Sequence, residues 1–296
     1  MRRAGVSLAT MTWWESVLLG LIQGLTEFLP ISSSAHIRVI GELLPHGADP
    51  GAAFTAIIQI GTEAAVLVYF RKDIATILRA WFGALFGHDG KDRAARFGAH
   101  SPDARLGWWV IIGTFPIVIL GVLFKDSIES ALRNLWITAT VLAVFAVVLA
   151  WADKVGAKRR EIKELTAKDA IVLGFAQAMA LVPGVSRSGG TISIGLFLGL
   201  TREAAARYSF LLAIPAVLGS GLFELATEFE GITDPSGPGL VATAIATLVA
   251  FVVGYIVIVW FLRLITTHSF MPFVIYRFIF AAAIVGLLVT GAVPAL

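Results

Sequence analysis

The chain has 296 residues, a formal net charge of +3 and a pI near 9.3, yet 57% of it is hydrophobic, only 15% is charged, and its mean hydropathy is +0.85. A soluble domain cannot solvate a surface of that kind, so the composition places the chain in a membrane. It has no cysteine, which excludes disulfides, thiolate metal sites and thiol catalysis, and its basic residues lie between apolar runs, where membrane topology rather than nucleic acid explains them.

In chain order, Met1-Arg2-Arg3 leads into no cleavable signal pattern, and the chain is read as mature. The first apolar region, Trp13 to Leu29, ends at Pro30, and its continuation stops at Pro45. Neither piece reaches the roughly 20 residues that span a bilayer, so the region predicts two short helices folded back at a proline, a re-entrant hairpin. Three spanning runs follow: Ala52 to Phe70, Leu106 to Phe124 and Leu135 to Trp151. A second proline-broken region, Ile171 to Val182 with Pro183 and a continuation to about Leu200, predicts a second hairpin. Three more spans follow it: Ala204 to Leu225, Leu240 to Leu264 and Pro272 to Val293. The Trp13-Trp14 and Trp108-Trp109 pairs read as interfacial anchors.

The hairpins resemble one another. LGLIQGLTEFLPISSSAH, Leu19 to His36, and LGFAQAMALVPGVSRSGG, Leu173 to Gly190, share a Leu-Gly pair, a glutamine three residues on, a proline and a Ser-x-Ser. That is an internal duplication. An odd number of spans after each hairpin inserts the two copies with opposite orientation, so the expected fold is an all-α integral membrane protein, one domain over 1–296, with pseudo-repeats at about 10–152 and 165–294. Seven Lys/Arg in Arg71 to Arg105 and six in Lys154 to Lys168, against two in Lys125 to Arg133 and none in Thr227 to Gly239, put the first two connections in the cytoplasm. Arg2 and Arg3 then fall outside, against that bias.

Charge at membrane depth costs roughly 2.5 to 3.5 kcal/mol on insertion scales and normally marks a cavity or a substrate path. Gln23 and Glu27 lie one helical turn apart just before the first break, and Ser32, Ser33 and Ser34 precede a helix whose free N–H groups make an anion site. In the second hairpin Arg187 occupies the place of Ser33, and Gly184, Gly189 and Gly190 let backbone approach a ligand. A guanidinium there suits paired phosphate oxygens, although it also suits a counter-charge for Glu27. His36 is either a structural histidine or a proton carrier. Glu63 and Arg277 read as structural contacts or snorkelling groups, and Gln59 and Glu224 carry no assignment.

QGLTEFLPISSSAH resembles the first signature of the bacterial undecaprenyl-diphosphate phosphatase family linked with bacitracin resistance, and PGVSRSGGTIS resembles its second. The resemblance runs on through TREAAARYSFLLAIP and FVIYRFIFA, hence over nearly the whole chain. It implies a multi-pass enzyme of the bacterial plasma membrane that hydrolyses the C55 isoprenyl diphosphate carrier to its monophosphate, returning it to peptidoglycan synthesis. The family's first motif is Glu or Gln, three residues, then Glu; here Gln23 and Glu27 stand at those places, so the motif holds one carboxylate.

On both grounds the expected catalytic residues are Glu27, Ser33, His36 and Arg187, with Glu27 also the ligand of a divalent cation, Mg²⁺ or Ca²⁺. Gln23, Ser32, Ser34, Ser186, Ser188, Gly189 and Thr191 are the expected substrate-binding residues. The nucleophile is either Ser33, with His36 or Glu27 as base, or a water served by His36. The expected partners are a polyprenyl diphosphate lipid and membrane lipids, with a homodimer open and nucleic acid excluded, and the site is expected to open to the outer, periplasmic side. Inverted repeats with broken helices also build transporters, so a polyprenyl-phosphate transporter or flippase using the same midplane site is the alternative function.

Overall fold

A computed structural model describes residues 11–45, 50–88, 90, 92–233 and 238–296. Arg2 and Arg3 lie outside them. The described residues form α1 (Trp13–Thr26), α2 (Ser33–Leu43), α3 (Gly51–Tyr69), α4 (Arg71–Leu85), α5 (Arg93–Arg96), α6 (Pro102–Leu123), α7 (Lys125–Glu129), α8 (Leu135–Val155), α9 (Ala167–Ala178), α10 (Arg187–Phe197), α11 (Arg202–Thr227), α12 (Phe229–Thr233), α13 (Leu240–Thr267) and α14 (Met271–Val289). No named strand occurs among them.

Five of these helices, α6, α8, α11, α13 and α14, are long and apolar enough to cross a membrane, and α3 with α4 makes a sixth candidate bent by 76° at Phe70. The sequence reading left Arg71 onward as a cytoplasmic connection; its first part is instead a helix. Its charged residues Arg71, Lys72 and Asp73 are followed by apolar groups at helical spacing, and α4 packs its Trp81 into the space left by Gly107 of α6. The outer surface is as oily as the core: α13 exposes Leu248, Val252, Ile256 and Trp260, one stripe at i, i+4 spacing. Such a stripe faces lipid, and the protein is an all-α, multi-pass integral membrane protein.

Both proline-broken regions fold as hairpins, α1 against α2 and α9 against α10. Their likeness goes further than the sequence motif. Each begins with a capping box, Thr12 with Glu15 and Thr166 with Asp169, in which the carboxylate accepts from the threonine backbone N–H at 2.8 and 2.9 Å. Gly20 and Gly174 are also equivalent: a Cβ would stand 2.4 Å from Ala246 O at the first and 2.6 Å from Gly113 O at the second. So the hairpins exchange neighbours, α1 lying on α13 and α9 on α6, while α3 meets α11 and α8 meets α14. Around the tips, a cluster including Phe28, Ile31, Phe70, Tyr208, Phe210 and Phe261 closes the interior to water.

Trp13 is 71% exposed, as an interfacial anchor should be. Trp108 and Trp109 also make contacts within the protein. Trp108 meets Trp81 and Phe97 and donates to Arg96 O, and Trp109 donates to Leu165 O at 2.9 Å, so this pair ties α6 to α4 and α5 and to the connection that leads into α9.

Candidate active site

Helix α1 ends because Glu27 is its last residue able to close a backbone bond, Glu27 N to Gln23 O, before the turn to Pro30. The i, i+4 spacing stacks the two side chains, and Gln23 Nε2 donates to Glu27 Oε2 at 2.7 Å. The chain then reverses through Ser32, whose φ of 71° is unusual for a non-glycine residue, and Ser186 of the second tip has a φ of 68°. The two strained serines occupy equivalent positions, each setting the direction of the helix that follows.

That direction brings the tips together. Ser33, the first residue of α2, donates its hydroxyl to Glu27 Oε2 at 2.5 Å, and Arg187, the first residue of α10, donates Nη2 to Glu27 Oε1 at 2.8 Å. One carboxylate therefore receives a glutamine, a serine and an arginine, and all four side chains are buried or nearly so. The pairing of Arg187 with Glu27 is present, but it uses only part of the guanidinium: buried Nη1 has no hydrogen-bond partner, and neither has Gln23 Oε1. Buried polar atoms are normally satisfied, so open valences at the centre of a site are the positions a ligand would complete.

Arg277 holds the arrangement from behind. Fully buried in α14, it donates to Pro30 O at 2.9 Å and to Gly184 O and Val185 O at 2.7 and 3.2 Å, with Nε on Leu142 O at 3.1 Å. It ties both tips to α8. The structural-contact reading of Arg277 is met and the snorkelling one is not. The glycines of the second tip serve the same purpose. Gly184, at φ +99°, lies against Thr138 O; Gly189 makes room for Arg277 Nη1, and Gly190 for Ala176 O. Their close neighbours are thus the protein's own groups.

His36 is engaged elsewhere. Nδ1 is 2.7 Å from Ser32 O, which can only accept, so in the neutral ring Nδ1 carries the proton and Nε2 accepts from Tyr276 OH, also at 2.7 Å. The ring stacks on Phe280 at 3.9 Å between centroids. Both nitrogens therefore have partners other than Glu27, Ser33 and Arg187. Tyr276 had no place in the sequence reading, since nothing in its apolar surroundings marks it as a partner of a residue so distant in the chain.

The remaining serines and Thr191 hold the tips. Ser32 begins α2 without capping it: its hydroxyl pairs with that of Ser34 at 3.3 Å. Ser186 does cap, accepting from Gly189 N at 3.2 Å, and it pairs with Ser188, which donates to Leu29 O of the other tip at 3.0 Å. Thr191 donates to Arg187 O at 2.7 Å and pairs with Ser209 of α11. A cavity of about 20 Å³ lies beside the tips, lined by Ser34, Ala35, Arg38, Arg133, Thr138 and Pro183. A larger cleft of about 290 Å³, between Lys158, Arg202 and Thr266, contains none of the residues of the tips.

Helices broken at two facing tips, a buried carboxylate bridged by hydroxyl and guanidinium, and a lipid-facing exterior define a multi-pass membrane protein with a buried polar cluster between two hairpins. The family model described as "Bacitracin resistance protein BacA" matches residues 16–283. The chain belongs to that family. It is 57% identical over 287 residues to a protein of Pseudarthrobacter chlorophenolicus named "Undecaprenyl-diphosphatase", covering 96% of this chain and 100% of that one. It is 58% identical over 287 residues to "Undecaprenyl-diphosphatase 2" of Agrobacterium fabrum, covering 97% and 99% of the two chains. A Micrococcus luteus protein, also named "Undecaprenyl-diphosphatase", is 54% identical over 288 residues, covering 96% and 100%.

Proposed function

We propose that this protein hydrolyses undecaprenyl diphosphate to undecaprenyl monophosphate and phosphate, recycling the lipid carrier for cell-wall synthesis, in the plasma membrane of a bacterium. The names of its relatives support hydrolysis rather than transport. The observation that carries the chemistry is the contact of one carboxylate, Glu27, with the Ser33 hydroxyl and the Arg187 guanidinium at once.

In this reading Ser33 Oγ attacks the terminal phosphorus while Glu27 takes its proton. The bond from that phosphorus to the bridging oxygen breaks, and the lipid monophosphate leaves as an anion that takes up the proton. A water then attacks the phosphoserine, gives a proton to Glu27, and releases phosphate with Ser33 restored. Phosphoryl transfer asks mainly for positioning and charge neutralisation, which Arg187 and the first N–H groups of α2 and α10 supply. Geometry favours Glu27 over His36 as the base, because the serine already donates to Glu27. His36 and Tyr276 then support Ser32 at the strained turn.

A divalent cation fits in chemical type. Gln23 Oε1 is a buried oxygen with no donor, beside a carboxylate, and hard cations take oxygen ligands. Glu27 and Gln23 would hold it, and when bound it would neutralise charge on the diphosphate.

The inverted orientation of the repeats is supported by helix directions. Along α1, Gly20 and Gly24 meet Ala246 and Ala250 in the same order, so α1 runs parallel to α13; likewise Ala170 of α9 meets Gly113 of α6 and Gly174 reaches on to Pro116, so α9 runs parallel to α6. Counting α3 as the first span, α6 is the second and α13 the fifth, so the hairpins enter from opposite sides. With the basic connections inside, the first hairpin enters from the outer side. The test is phosphate release from undecaprenyl diphosphate by the protein purified in detergent, where transport has no meaning. Wild type should release it and Glu27→Gln should fall to background; an inactive wild type, or a fully active Glu27→Gln, would refute the reading.

A further inference from the structure

We infer that Glu63, on α3, is a second carboxylate of the site and joins Glu27 and the amide oxygen of Gln23 in holding the divalent cation. The inference rests on the phosphatase reading for its substrate, though not for its cation. Glu63 is 0% exposed, and neither of its carboxylate oxygens has a hydrogen-bond partner. A lone carboxyl in that position costs several kcal/mol in an apolar interior unless something completes it. Arg187 and Glu27, the two groups that meet at the hairpin tips, are near enough for their charges to bear on it.

Packing places Glu63 at the level of the site. Helices α1 and α3 lie side by side on α13, through Gly20 and Gly24 on one and Gly61 against Thr247 on the other. Leu19 of α1 shares a cluster with Ile58 of α3; further on, Phe28 and Thr62 both border Gly254, and Phe28 clusters with Ala65 and Val66. Glu63, the residue after Thr62 on α3, therefore lies near the level of Phe28, which directly follows Glu27.

The donor set is all oxygen, which selects a hard cation such as Mg²⁺. Among the described residues no three His, Cys, Asp or Glu side chains form a metal cage. Two carboxylates and an amide oxygen match the usual Mg²⁺ pattern, in which water and substrate phosphate complete the shell. Formal charges agree: Glu27 and Glu63 offset Arg187 and Arg277, leaving no net positive charge for a diphosphate until a cation supplies it. The rival role for Glu63 is a fixed counter-charge to Arg187.

Mn²⁺ binding to the purified full-length protein, read by electron paramagnetic resonance and competed with Mg²⁺, distinguishes the two. Wild type should bind Mn²⁺, and Glu63→Gln should weaken it on the order of tenfold or more while keeping the metal-free Tm. The Mg²⁺ concentration for half-maximal phosphate release should rise in parallel. If Glu63→Gln does not fold, Glu63→Asp, which retracts the carboxylate by one methylene, should show the same loss of Mn²⁺ affinity. Unchanged Mn²⁺ affinity in whichever variant folds, or wild-type turnover indifferent to chelator, overturns the inference and leaves Glu63 a counter-charge. A wild type that binds Mn²⁺ through Glu63 yet releases no phosphate upholds the inference and overturns the phosphatase reading instead.

Discussion

Arg187 has two tasks that compete for one guanidinium. It pairs with Glu27 through Nη2, and it keeps Nη1 open for an anion. A planar fork does both with separate donors held in fixed geometry, whereas an ammonium is a compact point charge without that two-point fit. Arg187→Lys should therefore keep the protein folded but lower kcat/KM on the order of 10² or more, as the loss of a preorganised oxyanion contact does; near-normal turnover would reduce Arg187 to a counter-charge. Much of this was legible at the scale of single residues. Gln23, Glu27, Ser33 and Arg187 stand out because each breaks an apolar pattern at a proline, and the structure brings these four together. His36 stood out for the same reason, but beyond the local carbonyl of Ser32 its partners, Tyr276 and Phe280, lie on α14, and no local spacing announces a contact made across most of the chain. Glu63 and Arg277 were visible as intramembrane charges and were read as structural. That suffices for Arg277, whose donors all meet carbonyls, but not for Glu63, whose oxygens meet nothing.

At the scale of elements, the hairpins depend on close approach. At Gly20 and Gly174 a methyl group would collide with backbone atoms of α13 and α6, which cannot turn aside as a side chain can. Gly20→Ala and Gly174→Ala should each lower stability by about 1–3 kcal/mol, seen as a fall in Tm in detergent. Gly286→Ala, where no atom lies within 4 Å, should leave Tm unchanged or raise it, because alanine favours helix. Equal effects at all three sites would show that helix propensity and not packing governs these positions. The hairpins were legible because proline stops a helix wherever it falls, and the duplication repeats the glutamine and the serines. The capping boxes escaped the comparison because Glu15 and Asp169 differ in type, as do the residues between each threonine and its acid, so the match shows only as geometry. Helix α4 escaped too, since the density of charge that signals a connection also suits a helix lying along a surface.

For the molecule as a whole, the proposed topology has six spans and two inverted hairpins, and the absence of native cysteine makes it easy to map. A cysteine at Lys158 should resist a membrane-impermeant thiol reagent in intact cells, and one at Glu228 should react; the reverse pattern would turn the site toward the cytoplasm. Either orientation leaves intact the claim that two halves of one chain meet around Glu27 to activate Ser33. Its most direct test is a brief incubation of the purified protein with substrate labelled at the terminal phosphate, followed by acid quench and mapping of the label. The account predicts phosphate covalently held on Ser33 in wild type, and both the label and phosphate release gone in Ser33→Ala. Substantial turnover by Ser33→Ala with no trapped phosphoprotein would contradict it and make Ser33 a binding group for a reaction in which water attacks directly.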